Sequence, residues 1–326
     1  MPSSSHGSNE DRPVVDANFR SQLEQRLGHD HARRRLEMET DSDSHVFGGE
    51  TNFFHISNWR SAHSLIRNVL RLTRLYARGQ RNALDIRLVD HQVSLPHLPS
   101  SFVGMRILHL TDLHIDMSPE IAEAIIERVR GIDYDLCVLT GDYRFRSSGD
   151  IEACIHCMAR LRASLKEPVY AVLGNHDSIR MLPKLEAVDI RVLMNEHAQI
   201  RRGSDVLYLA GIDDVHFFGA GNIPRAMTGI PSEAVSILLS HTPEVYQEAA
   251  DADVDLLLCG HTHGGQICLP GGFAMTLDAR IPRRMGRGHW QFQQMIGYTS
   301  PGAGSSVVDA RLNCPPEVTV HTLQHG

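Results

Sequence analysis

Apolar and polar positions fall into three regimes along the chain. Residues 1 to about 56 carry few large apolar side chains among Ser, Asp, Glu, Arg and His. Leu23, Leu27 and Leu36 have helical spacing, but Gly28 and the charge density predict a mobile polar tail with solvated histidines. From Asn58 to Gln80 the apolar period becomes helical: Trp59, Ala62, Leu65, Ile66, Val69, Leu70, Leu72, Leu75 and Tyr76 share one side. Arg60, Arg67, Arg71, Arg74, Arg78 and Arg81 fall opposite, with no acidic residue between Ser57 and Ala83. Alternation over Ala83 to Leu98, closed by Pro96 and Pro99, predicts a pair of short strands or one bent strand. Residues 57–103 thus read as a basic amphipathic helix with lead-in strands.

From residue 104 to 326 short apolar runs alternate with helical segments, which predicts an α/β domain. The runs are Arg106–Leu110, Leu136–Thr140, Val169–Leu173, Ile190–Leu193, Val206–Ala210, Ser236–Ser240 and Leu256–Leu258. Helices are expected over Glu120–Val129 and Ile151–Leu165.

Five of these runs end on metal-competent residues: Asp112 and His114, Asp142, Asn175, His241, and the pair His261 and His263. In open α/β sheets ligands collect at the carboxyl ends of strands. Asp and Asn at a strand end are ordinary turn residues one at a time, and a His-x-His among 20 histidines is weak alone. Five ends in order, mixing carboxylate, imidazole and amide, are a donor set for Mn, Fe or Zn. Seven side chains exceed one tetrahedral site and suit two adjacent metals sharing a carboxylate.

Composition narrows the classes. The chain has 326 residues, 42% hydrophobic and 22% charged, which is an ordinary globular balance. A net charge of -7 and the absence of a reading motif give no case for a nucleic-acid polymer. Six scattered cysteines predict reduced thiols. Cys154 and Cys157 have CxxC spacing without a second pair, so one helix face accounts for them. No N-terminal apolar core of a signal peptide and no spanning run are present, so a cytoplasmic protein is expected. The arginine-faced helix suits an anionic membrane interface, which would place the protein on the inner face of the cytoplasmic membrane. Docking of its apolar stripe on the catalytic domain is the competing expectation.

Asp112-Leu113-His114, Gly141-Asp142, Gly174-Asn175-His176-Asp177, His241 and Gly260-His261-Thr262-His263 together resemble the calcineurin-like metallophosphoesterases over roughly residues 104–323. The resemblance implies a four-layer αββα sandwich with two divalent metals, manganese first, iron or zinc as alternatives. It implies that Asp112, His114 and His263 hold one metal, Asn175, His241 and His261 the other, and that Asp142 bridges. His176 would be the acid beside the leaving group, with Asp177 as its support. Many members have an acidic residue where this chain has Phe145; Arg144 and Arg146 beside it could instead contact a phosphate.

His263-Gly264-Gly265-Gln266-Ile267 and the run from Gly302 to Glu317 resemble a subgroup of membrane-associated bacterial phosphoesterases. That subgroup is similar to enzymes cleaving UDP-2,3-diacylglucosamine in lipid A synthesis, which implies a lipid-linked nucleotide as substrate. A nucleotide or phosphoprotein substrate and a non-catalytic scaffold are the other readings; the scaffold requires lost ligands, and none of the seven is missing.

Overall fold

The computed structural model describes residues 17–45 and 60–326. It opens with α1 (Ala17–Leu27), α2 (His29–His45), α3 (Arg60–Leu72), α4 (Tyr76–Leu84) and β1 (Arg87–Leu95). There follow β2 (Arg106–Leu110), α5 (Pro119–Val129), β3 (Leu136–Leu139), α6 (Glu152–Arg162), β4 (Val169–Ala171), α7 (Leu182–Glu186) and β5 (Arg191–Val192). The second half contains β6 (Glu196–Arg202), β7 (Asp205–Gly211), α8 (Ile223–Met227), β8 (Ser236–Leu239), α9 (Tyr246–Asp251) and β9 (Leu256–Cys259). It closes with β10 (Gly288–Phe292), β11 (Met295–Thr299) and β12 (Glu317–His325).

The strands form two six-stranded sheets, ordered β1-β12-β2-β3-β4-β5 and β10-β11-β9-β8-β7-β6. β2 to β5 are parallel, as are β7, β8, β9 and β11. Between the sheets lies an apolar layer that includes Ile107, Val138, Val172, Leu209, Ile237, Leu256 and Leu323. A second apolar cluster joins the first sheet to α5 and α6 through Ile125, Ile126, Cys154 and Met158. A third joins the other sheet to α8 and α9 through Ile223, Ala226 and Ala249. These are the four layers expected. Short fully apolar strands such as Leu136–Leu139 form because both of their faces are covered.

Three expectations need correction. The expected mobile tail does not extend over α1 and α2; residues 1–16 and 46–59, Trp59 among them, lie outside the described residues. Leu23, Leu27, Ala32 and Leu36 bury against the helical side of the first sheet, so their helical spacing outweighs the charge around them. The arginine-rich segment is two helices, not one. Arg74 turns into the left-handed region (φ 59°) and Leu75 N donates to Leu70 O at 2.8 Å, ending α3 in a Schellman-type turn. Finally, Arg87–Leu95 is a single strand that pairs with β12 over nine residues, so 57–103 is not separate from the catalytic domain. The Cys154–Cys157 pair lies on α6, as the helix-face reading has it.

Candidate active site

The carboxyl ends of β2, β3, β4, β8 and β9 meet at one edge of the sandwich, and there the backbone abandons ordinary geometry. Asp112 (φ 48°), His114 (39°), Asp142 (57°), His261 (69°) and His263 (48°) all occupy the left-handed region. None is glycine, so each is strained, and such strain persists only where surrounding contacts over-determine it. Glycine is needed at 174 and 260: a Cβ at Gly174 would collide with Asp142, and one at Gly260 with Asp112 and Thr111.

All seven expected metal ligands converge. Potential ligand atoms of Asp112, His114 and His263 lie within 4.8 Å of one another, as do those of Asp142, His241 and His261. Asn175 Oδ1 is 2.9 Å from His241 Nε2, which adds the amide to the second group. Asp142 lies between the groups, its Oδ2 3.8 Å from His114 Nε2 and 3.4 Å from His241 Nε2.

The donor set fits metal ions. His114 Nδ1 donates to Arg144 O at 2.9 Å, and His241 Nδ1 to Thr140 O at 2.8 Å. His261 Nε2 donates to Asp278 O at 2.9 Å. A carbonyl only accepts, so each contact fixes the proton on the outer nitrogen and turns the inner lone pair toward the centre. Burial pushes His114 down to about 3 and holds His261 and His263 well below the usual imidazole range, which keeps them neutral. His241 is the counter-case: burial works against its charge, but Asp142 and Asp112 raise it to about 10. A cation entering here therefore competes with a proton.

His176 sits against the Asp142 side, with Nε2 3.9 Å from Asp142 Oδ2 and Nδ1 donating to Phe145 O at 2.8 Å. Asp177 supports the loop and not the His176 ring, contrary to the expected pairing. Its carboxylate accepts the backbone N–H groups of Asp142 (2.7 Å), Tyr143 (2.9 Å) and Gly174 (2.9 Å), which ties two ligand loops together. Arg144 also departs from expectation. It is buried, and its guanidinium donates to the carbonyls of His176, Ser147 and Gly149, leaving it turned away from a phosphate. Arg146 is exposed.

Four supporting residues were not anticipated. Glu39 on α2 accepts from Ser178 Oγ and Ile179 N, both at 2.6 Å, directly after the Asn175–Asp177 loop. Arg35, fully buried, donates to Asp177 O at 2.9 Å and pairs with Asp213 at 3.3 Å. The Leu23, Leu27 and Leu36 spacing was the available signal for this helix pair. Arg311, also fully buried, donates to Pro301 O at 2.7 Å and lies 3.2 Å from His263 Nδ1. His216, held by Glu244 at 2.8 Å, packs against His261 with ring centres 4.1 Å apart and the rings tilted by 50°.

Residues 105–265 match the family model described as calcineurin-like phosphoesterase. The chain is 31% identical to a phosphodiesterase of Escherichia coli over 249 residues, 72% of this chain and 87% of that protein. It is 28% identical to an uncharacterized metallophosphoesterase of Bacillus subtilis over 260 residues, 76% of this chain and 93% of the other. To a UDP-2,3-diacylglucosamine pyrophosphatase of Chlamydia muridarum it is 26% identical over 326 aligned positions, covering 81% and 92%.

Proposed function

The chain belongs to the calcineurin-like phosphoesterase family and is a metal-dependent phosphoester hydrolase; from that premise we propose that its substrate is a lipid-linked nucleotide such as UDP-2,3-diacylglucosamine. The bond cleaved would be a phosphodiester or pyrophosphate, at the inner face of the cytoplasmic membrane. The observation that carries the lipid reading is the loop that leaves His263. It presents Leu269, Phe273 and Met275 as exposed apolar side chains close in sequence to the ligand, where acyl chains have apolar surface to lie on. The Chlamydia relative's substrate supports the same reading.

Asp112, His114 and His263 would hold one metal, Asn175, His241 and His261 the other, with Asp142 shared. When bound, such a pair supplies Lewis-acid stabilisation of phosphate charge and a water of lowered pKa. Manganese is the metal proposed; the nitrogen and oxygen donors also suit iron and zinc. Asn175 contributes a neutral oxygen, which limits negative charge facing a phosphate. His176, oriented by Phe145 O, presents Nε2 as the atom from which a proton passes to the leaving oxygen. Asp177 and Glu39 hold the backbone that carries His176.

A second reading, a phosphodiesterase of broader specificity on nucleotides or phosphoproteins, is favoured by the 31% identity to the Escherichia coli phosphodiesterase. Metal-stripped protein re-loaded with Mn²⁺ should be offered UDP-2,3-diacylglucosamine beside bis(p-nitrophenyl) phosphate. Faster turnover of the lipid nucleotide supports the first reading. Turnover of the generic diester alone removes the lipid substrate and leaves the second.

A further inference from the structure

α3 buries only part of its apolar surface. Ile66 and Leu70 pack on Val308, Ala310 and Leu312, beside Ile267, so the helix is docked on loops that adjoin the metal-ligand loop. Tyr76 Oη and Gln80 Nε2 donate to Asp309 at 2.6 and 2.8 Å and anchor the following helix to the same loop. Yet Leu65, Val69 and Leu72 remain 64%, 49% and 86% exposed. Docking therefore accounts for one edge of the stripe and, among the described residues, leaves the other uncovered.

A second exposed apolar element grows from the same cluster. Ile267 bridges to Leu312, and two residues on Leu269 pairs with Phe273. Phe273 and Met275 are 56% and 59% exposed, with the Arg283 guanidinium 4.8 Å over the Phe273 ring. Around both elements positive charge predominates. Arg71, Arg74, Arg78 and Arg81 are exposed along α3, the turn after it and α4 without an acidic residue among them. Arg280, Arg283 and Arg284 follow the loop, where Asp278 is the single acidic residue between Leu269 and Arg284. A protein partner's surface carries both signs. Exposed leucine, valine, phenylalanine and methionine ringed by arginine complement an apolar layer beneath anionic headgroups.

We propose that α3 and the Leu269–Met275 loop form one face that lies in the interface of an anionic lipid bilayer, bringing the edge with His263 to the membrane. This rests on the lipid-linked reading of the substrate and names the surface through which that substrate arrives. Among the described residues no helix is long and apolar enough to cross a membrane, so the contact is in-plane.

The test is co-sedimentation of the full chain with phosphatidylcholine vesicles and with mixed phosphatidylcholine–phosphatidylglycerol vesicles. The wild type should bind the anionic vesicles and release at high salt. Val69→Asp with Leu72→Asp, and separately Phe273→Asp, should each weaken that binding by ~10-fold or more. Val69 and Leu72 are exposed on α3, away from the metal-ligand side chains, so bis(p-nitrophenyl) phosphate turnover should be unchanged in that double variant and reports an intact fold; for Phe273→Asp an unchanged thermal-unfolding midpoint reports it. Absence of vesicle binding, or binding indifferent to both substitutions, overturns the proposal. So does loss of a dimer on gel filtration in place of loss of vesicle binding, which would assign the face to a second copy. Cleavage of detergent-dispersed UDP-2,3-diacylglucosamine without vesicle binding would sink the surface alone. Vesicle binding without such cleavage would sink the substrate alone.

Discussion

At the strand ends, His114, His241, His261 and His263 face the carboxylates of Asp112 and Asp142; between the sheets, His91, His109, His289 and His321 face one another. The second set forms a ladder. His289 Nδ1 is 3.1 Å from His91 Nε2, His91 Nδ1 is 2.9 Å from His321 Nδ1, and His321 Nε2 is 3.3 Å from His109 Nδ1. His109 Nε2 then meets Thr140 Oγ at 2.8 Å. Burial is shared by His109, His321 and the strand-end set, so burial does not make a ligand. In the ladder the rings face one another with no carboxylate between them, whereas at the strand ends backbone carbonyls take one nitrogen of His114, His241 and His261 and leave the other for the centre. His263 turns Nδ1 to the Arg311 guanidinium and Nε2 toward Asp112. Asp112, His114, Asp142, His261 and His263 at the strand ends also occupy left-handed backbone, His241 excepted, while the ladder residues lie in regular strand. Carboxylate company, a spare lone pair and a strained strand end separate a metal site from a satisfied interior.

Substitutions on the two sides should therefore behave differently. The largest effect is expected for Asp142→Asn, which removes the charge shared by both metal groups. Metal content measured by atomic emission should fall, and turnover should drop by more than ~10²-fold, the loss typical of outer ligand supports alone. His176→Ala should lower kcat by ~10²–10⁴-fold while metal content stays at the wild-type level; a fall in metal would instead make His176 a ligand. Glu39→Ala should reduce kcat by about 10-fold without changing metal content, because the loop carrying His176 loses two hydrogen bonds. Glu39→Gln should recover part of it.

His321→Gln should leave metal and turnover alone and show itself only in acid. Burial depresses His91 to about 4, His109 to about 3 and His321 well below the free value. The unfolded chain, with histidines near ~6.5, then binds more protons, so stability is present above ~6.5 and is lost as pH falls toward 4. Each such histidine contributes up to about 1.4 kcal/mol per pH unit. Urea midpoints measured across that window should show a shallower slope for the variant.

The strand-end site was legible because apolar runs stop abruptly on metal-competent residues, and this pattern survives without any knowledge of pairing. The ladder was not. His91, His109 and His321 lie mid-strand, where a polar residue reads as a solvent-facing position, and only the parallel pairing of β1 with β12 sets His91 opposite His321. α2 was misread for a related reason. Arg35 and Glu39 look like solvated charge in sequence, yet both are buried against the Asn175–Ile179 loop. Arg144 misled in the opposite sense, since a cation beside a ligand invites a phosphate while the structure turns it onto three carbonyls. The apolar stripe of α3 was legible as a helix, but its division into a docked and an exposed edge depends on tertiary packing.

The most direct measurement is a metal titration. Chelator-treated protein should be re-loaded stepwise with Mn²⁺ while hydrolysis of bis(p-nitrophenyl) phosphate is followed. Two-metal hydrolysis at the strand-end site predicts negligible turnover when stripped and a plateau at about two equivalents per chain, absent in Asp142→Asn. Full turnover by stripped protein, or the same plateau in Asp142→Asn, would contradict it.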